Sequence, residues 1–276
     1  MDFSDDAILL TVAQAGKRSL VMEVLTANHG RMRCVSHLQD GEKPTLLPGS
    51  FLTFQCEADD LSKPPVIHLE KILGGLIATS AADVGLCALM TAKDLMSALV
   101  PAHQPAPELY EAMAALMASL VHEDGRWPFH YAAWEFALLE EMNCLQGLAR
   151  CMTAFRHGDT IYVSPRTGAI VTREEGGAFL DKLIPLPGFL LGGKSASLPA
   201  VRQGFELTRT LLERFALADS DAEIPRTRGT LERALKRLNT LPPPQANNEP
   251  MEDAESRARR IEAMRPLMVA AAAGQR

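Results

Sequence analysis

Hydrophobic periodicity changes once along this chain, and that change constrains the fold more than any other feature. Over roughly the first 75 residues apolar side chains alternate with polar ones; from Ser80 onward they recur at the 3.6-residue spacing of a helix. Five runs rich in Val, Ile, Leu, Thr and Phe precede the change: Ala7–Gln14, Ser19–Ala27, Arg31–Leu38, Ser50–Glu57 and Val66–Ile72. Gly16, Asn28-His29-Gly30, Gly41 through Pro48-Gly49, and Pro64-Pro65 supply turn chemistry between them. In the fourth run Phe51, Thr53 and Gln55 share one face while Leu52, Phe54 and Cys56 share the other. Short antiparallel strands in so small a span fit a five-stranded OB-fold barrel, with a small sandwich as the alternative.

Helical stripes follow. Val84, Ala88, Thr91, Leu95 and Leu99 align ahead of Pro101, and Leu109, Ala112, Met113, Leu116 and Leu120 align between Pro107-Glu108 and Gly125. A third helix runs from about Pro128, just after Trp127, with Tyr131, Trp134, Leu138 and Met142 in line. A fourth near Ala200–Leu217 carries Val201, Phe205, Thr208, Leu212 and Phe215; a fifth near Thr227–Leu241 carries Leu231, Ala234, Leu235 and Leu238. Between the third and fourth, Asp159–Val171 reads as a hairpin around Ser164-Pro165-Arg166-Thr167-Gly168. The expectation is an α+β chain: an OB-fold domain over 1–77, a helical domain over 78–241 with a β insert at about 158–172, and a flexible tail over 242–276 that opens with Pro242-Pro243-Pro244.

Charge limits the function. Twenty-eight Lys and Arg face 34 Asp and Glu, a net charge of −6, so the chain does not hold nucleic acid by bulk charge alone. The acidic start, Met1-Asp2-Phe3-Ser4-Asp5-Asp6, does not read as an export signal, and no run reaches the roughly 20 apolar residues of a membrane span. Five cysteines form no C-x-x-C pair. They read as reduced thiols of a cytoplasmic chain, mostly small core residues.

One motif points to catalysis. Gly188 to Ser195 satisfies G-x-x-x-x-G-K-[ST], the phosphate-cradling loop, which would make Lys194 a nucleotide ligand. That chemistry needs a buried strand before the loop and a helix directly after it. Pro185 and Pro187 break the former and Pro199 interrupts the latter, so a glycine-rich surface turn is expected. His122 and Glu123 read as a solvated helix end, and His130 as a helix-surface or packing residue. Cys144, Cys151 and His157 have no standard zinc spacing and no fourth ligand nearby in sequence; neither metal nor cofactor is expected.

Two groups of basic residues remain. On the barrel, Lys17, Arg18, Arg31, Arg33 and Lys43 could line a groove, although residues 1–77 hold seven basic against ten acidic side chains; a weak binder and a solvated surface both fit. On the last two helices, Arg202, Arg209, Arg214, Arg226, Arg228, Arg233, Lys236 and Arg237 form a denser set. Arg226, Arg233 and Arg237 share one face, which fits a solvated face, a phosphate contact surface or a dock for an acidic peptide tail.

The residues also carry a family resemblance. Asp5-Asp6-Ala7-Ile8-Leu9-Leu10, Ser19 through Asn28-His29-Gly30, and Pro48-Gly49 resemble RecO, the bacterial recombination mediator, in its alphaproteobacterial form. The most specific stretch is Trp127-Pro128-Phe129-His130-Tyr131-Ala132-Ala133-Trp134-Glu135 through Glu141. Leu148-Ala149-Arg150-Cys151, Ile161 through Gly168, and Leu186-Pro187-Gly188-Phe189-Leu190 extend it, so it covers nearly all of Met1 to Leu241. The resemblance implies a non-enzymatic protein with an OB-fold and a helical domain. It would bind single- and double-stranded DNA, anneal complementary strands and act with RecR on SSB-coated DNA. On the charge reading above, Lys17, Arg18, Arg31, Arg33 and Lys43 would contact phosphates weakly through the barrel, and Arg202, Arg209, Arg226, Arg233 and Arg237 would supply a second DNA or SSB-tail surface. Relatives with a four-cysteine zinc module differ here, where only Cys151 matches. A protein-interaction adaptor with little DNA affinity is the alternative on the same fold.

Overall fold

The early alternation closes on itself. In the computed structural model, which describes residues 2–38, 46–57, 64–75, 82–122, 124–193, 196–218 and 221–242, five strands form a closed barrel. They are β1 (Asp2–Gln14), β2 (Ser19–Thr26), β3 (Gly30–His37), β4 (Phe51–Glu57) and β5 (Val66–Leu73). The order β1-β2-β3-β5-β4, with β4 returning to β1 and β3 running parallel to β5, is that of an OB-type barrel, not a sandwich. Every second residue points inward, so Ala7, Leu9, Met22, Val24, Met32, Cys34, Leu52, Phe54, Cys56 and Ile67 fill the interior.

β1 begins well before the apolar run at Ala7, because residues 2–8 pair in register with β4. Asp5 is not solvated there. Its carboxylate accepts from the Asp6 and Asn28 amides at 2.9 and 3.1 Å and from Asn28 Nδ2 at 2.9 Å, and lies 2.6 Å from His29 Nδ1. A buried acid thus fastens the β2–β3 turn. Gly30 follows at φ +70°, and a Cβ there would sit 1.9 Å from the Gln104 carbonyl oxygen, so only glycine fits. Helix α1 (Ala82–Leu99) lies against β1, and α2 (Pro107–Val121) against α1. Ile8 and Leu10, on the outer face of β1, are buried as completely as Leu9 inside.

The described residues separate into two compact units, one extending to Asp124 and one starting at Gly125. The second contains α3 (Trp127–Glu141), α4 (Leu148–Arg156), α5 (Arg173–Gly176), α6 (Leu198–Leu211) and α7 (Arg226–Arg237). Pro at the start of α2, α3 and α6 uses positions whose amides have no helical acceptor. The β insert has three strands, not two: β6 (Ile161–Val163) is flanked by β7 (Ile170–Thr172) and by β8 (Ile184–Pro185). Pro185 is accommodated because β8 is an edge strand.

The fourth helix, expected near Ala200–Leu217, is α6 closed by a π-turn over Leu212–Ala216. Two further expectations need correcting. α7 stops at Arg237, where Leu238 turns extended, and does not reach Leu241. The first half of the glycine-rich step is not a surface turn: Gly188–Leu191 is a 3-10 turn in which Phe189, Leu190 and Leu191 are buried, while Gly192 after it is exposed. Gly204 of α6 lets the Phe189 ring approach, since a Cβ there would come within 2.8 Å of it. Lys194 and Ser195 lie outside the described residues, as does the tail beyond Pro242. Among the described residues, no helix is long and apolar enough to cross a membrane.

Candidate nucleic-acid interface

On the barrel, the outward positions of β3 are Arg31, Arg33, Val35 and His37, opposite Leu25, Glu23, Val21 and Ser19 of β2. Arg33 is exposed. Arg31 is not free: it is 18% exposed, donates to Glu23 Oε1 at 2.8 Å and reaches the Val100 carbonyl at 3.3 Å. Glu23 also accepts from Ser97 of α1 at 3.3 Å, so this pair ties the sheet to the helix covering it. At the other end of β3, the β1–β2 turn presents Lys17 and Arg18 to solvent. The Leu38 amide donates to the Arg18 carbonyl, and Ser19 Oγ lies 3.1 Å from His37 Nδ1, so turn and strand end are joined. Lys17, Arg18, Arg33 and His37 therefore occupy one edge-to-face strip, the β2–β3 face and first loop that OB-folds use for oligonucleotides. Lys43 lies outside the described residues.

In the helical unit, arginines of one helix meet opposite fates. Arg228 and Glu135 are both 0% exposed. Arg228 Nε donates to Glu135 Oε1 at 2.6 Å, and Nη2 donates to Glu135 Oε2 and to the Phe205 carbonyl, both at 2.8 Å. Tyr131 Oη donates to Glu135 Oε1 at 2.8 Å and Thr208 Oγ1 to Oε2 at 2.5 Å. Burial opposes the Arg228 charge, but Glu135 and Glu232 hold the guanidinium protonated well above its usual value. This network joins α3, α6 and α7.

The remaining basic residues separate into engaged and outward-facing groups. Arg202 donates to the Leu238 carbonyl at 2.9 Å, capping the end of α7. Arg209 pairs with Glu213 at 2.9 Å and Glu232 at 3.1 Å. Arg226, Arg233, Lys236 and Arg237 are exposed on α7, and Arg233 bonds only the Thr230 hydroxyl, at 2.9 Å, in the hydrogen bonds of the described residues. The five residues of the second predicted surface are thus not one patch: Arg202 and Arg209 brace the fold, while Arg226, Arg233 and Arg237 face outward.

A shallow hollow lies at the start of α3, lined by Arg126, Phe129, Ala196, Leu241 and Pro242. The Arg126 guanidinium sits 4.9 Å over the Phe129 ring at its rim. The cysteines are free thiols; Cys34, Cys56 and Cys151 are buried. Burial pushes the Cys34 thiol up to about 12, with Cys56 adding to it, and raises those of Cys144 and Cys151. Among the described residues, no three His, Cys, Asp or Glu side chains gather to hold a metal ion.

Comparison with known proteins decides the family. Residues 86–217 match the model of the recombination protein O C-terminal domain. The chain is 33% identical over 218 residues to the DNA repair protein RecO of Cereibacter sphaeroides, covering 78% of this chain and 90% of that one. The chain belongs to the RecO family. The RecO of Rhodospirillum centenum is 33% identical over 232 residues (83% of this chain, 92% of the relative), and that of a Ruegeria species 32% over 243 residues (86% and 99%).

The RecO domain match ends at Leu217, before α7 and its outward arginines. What the sequence reading missed is the Glu135–Arg228 pair. Its signal was present as two charges on otherwise apolar stripes: Glu135 four residues after Tyr131, and Arg228 three and seven residues before Leu231 and Leu235.

Proposed function

We propose that this RecO-family chain is a non-enzymatic, cytoplasmic mediator of recombinational DNA repair. It binds single- and double-stranded DNA, anneals complementary strands and acts with RecR on SSB-coated single strands, without a cofactor. The observation that carries the reading is the OB-type barrel with Lys17, Arg18 and Arg33 exposed along its β2–β3 face and first loop. Contact there is electrostatic and sequence-independent, with each phosphate neutralised adding about 0.7–0.9 to the log–log salt slope. Arg31, held by Glu23, positions the sheet and contributes less. The SSB tail, acidic and ending in Phe, is taken by a basic-rimmed apolar pocket of the helical unit.

The adaptor reading is favoured by the barrel's acidic balance: it predicts RecR and SSB-tail binding with negligible DNA affinity. Annealing of complementary oligonucleotides pre-coated with SSB, at moderate salt, separates the two. Acceleration by the chain supports the mediator. No acceleration with SSB-tail binding intact supports the adaptor, and loss of both removes the proposal.

A further inference from the structure

Arg226, Arg233, Lys236 and Arg237 stand exposed on the outer face of α7. Taking the core direction from Arg228, Leu231 and Leu235, the 100° step per residue places Arg226, Arg233 and Arg237 within about 40° of one another on the opposite side. They span the twelve residues of α7, a straight row of about 16 Å. Lys236 flanks the row. Glu232, the one acid in the helix, is turned away and taken up by Arg228 and Arg209. The exposed face is therefore uniformly basic, and no ion pair of the described residues involves Arg226, Arg233, Lys236 or Arg237.

Between the arginines stand Gly229, Thr230 and Ala234, all small. Gly229 is the informative one. Glycine inside a helix is unfavourable relative to alanine, and it is retained where packing or a close approach demands it. Packing does not demand it here: a Cβ at Gly229 would meet nothing nearer than Arg233 Nη1 at 3.6 Å, an ordinary contact. A low-profile ridge with charges on it suits a long polyanion lying along the helix. It does not suit an apolar-ended peptide, because the side chains along it are charged or small.

We propose that Arg226, Arg233 and Arg237 form a comb that tracks the phosphate backbone of DNA, with Gly229 keeping the ridge low enough for the strand to approach. Every phosphate of a nucleic-acid strand carries the same charge, so binding needs no register. This rests on the RecO-type reading and extends it: with one phosphate site on the barrel and one on α7, a single chain can hold two strands.

The test is fluorescence anisotropy of single-stranded and duplex oligonucleotides with the full chain across a salt series. Arg226→Gln/Arg233→Gln/Arg237→Gln is compared with Lys17→Gln/Arg18→Gln/Arg33→Gln. The comb variant is expected to lose about two to three units of log–log slope, and Gly229→Leu to weaken DNA binding severalfold with every charge kept and the melting temperature no lower than the parent's. An unchanged slope in the comb variant overturns the proposal while leaving the barrel site standing. Wild-type chain that binds no DNA at low salt overturns the function and the comb together. A comb variant that keeps DNA binding but loses binding of an acidic SSB-tail peptide overturns it in favour of a peptide dock.

Discussion

The barrel and the helical unit solve the same problem with different chemistry. The barrel closes a backbone ladder around ten buried core residues, none of them charged. The helical unit joins α3, α6 and α7 around Arg228 and Glu135, neither of which touches solvent. An apolar core is tolerant, because its energy is spread over many contacts. A buried ion pair is intolerant: forming it gains little over an apolar pair, but removing one partner strands the other. The comparison teaches that an arginine's type says little about its role. Arg228 and Arg233 lie on one helix, five residues apart, and do opposite things.

That contrast can be broken by mutation. The largest expected effect is Glu135→Ala, at about 3–5 kcal/mol of unfolding free energy, because the Arg228 charge is left buried. Arg228→Met combined with Glu135→Leu should recover most of it in a denaturant titration; failure to recover would mean the pair contributes more than mutual compensation. In the barrel, Leu52→Ala should cost about 2–4 kcal/mol by opening a cavity, and Leu52→Val distinctly less. Such a graded response is what the charged centre should not show.

A third effect is confined to alkaline pH. Cys34 keeps its proton in the folded barrel to about 12 but releases it near 9 when unfolded. The unfolded state then binds fewer protons, so stability is full below about pH 9 and falls as pH rises toward 12. By pH 10.5 the loss approaches about 2 kcal/mol, at 1.36 kcal/mol per unit of the difference. Denaturation curves at pH 8 and 10.5 should converge for Cys34→Ala and not for the parent chain; parallel losses would remove Cys34 as the cause. The smallest effect is a gain: Gly229→Ala should raise stability by about 0.5–1 kcal/mol, read as a higher melting temperature.

The five strands and their faces were the part of the fold that sequence exposed best, because a period of two sets Leu52, Phe54 and Cys56 together on the side that fills the barrel. β1 was read too short, since Asp5 looks solvated until Asn28 and His29 are seen to bond it. α4, the third insert strand and the π-turn escaped because they are short or locally irregular, and their identity comes from packing. For the site, shared faces were legible and pairings were not. The helical row of Arg226, Arg233 and Arg237 follows from spacing alone. The commitment of Arg31 to Glu23, Arg202 to the Leu238 carbonyl and Arg209 to Glu232 depends on contacts with residues distant in sequence or on other elements.

The most direct test of the account is annealing of bare complementary oligonucleotides by four forms of the full chain: parent, the barrel triple variant, the α7 triple variant, and both combined. Two phosphate sites on one chain predict acceleration by the parent, slower annealing in each single-surface variant and none in the combined one. A combined variant that anneals as fast as the parent would contradict the account.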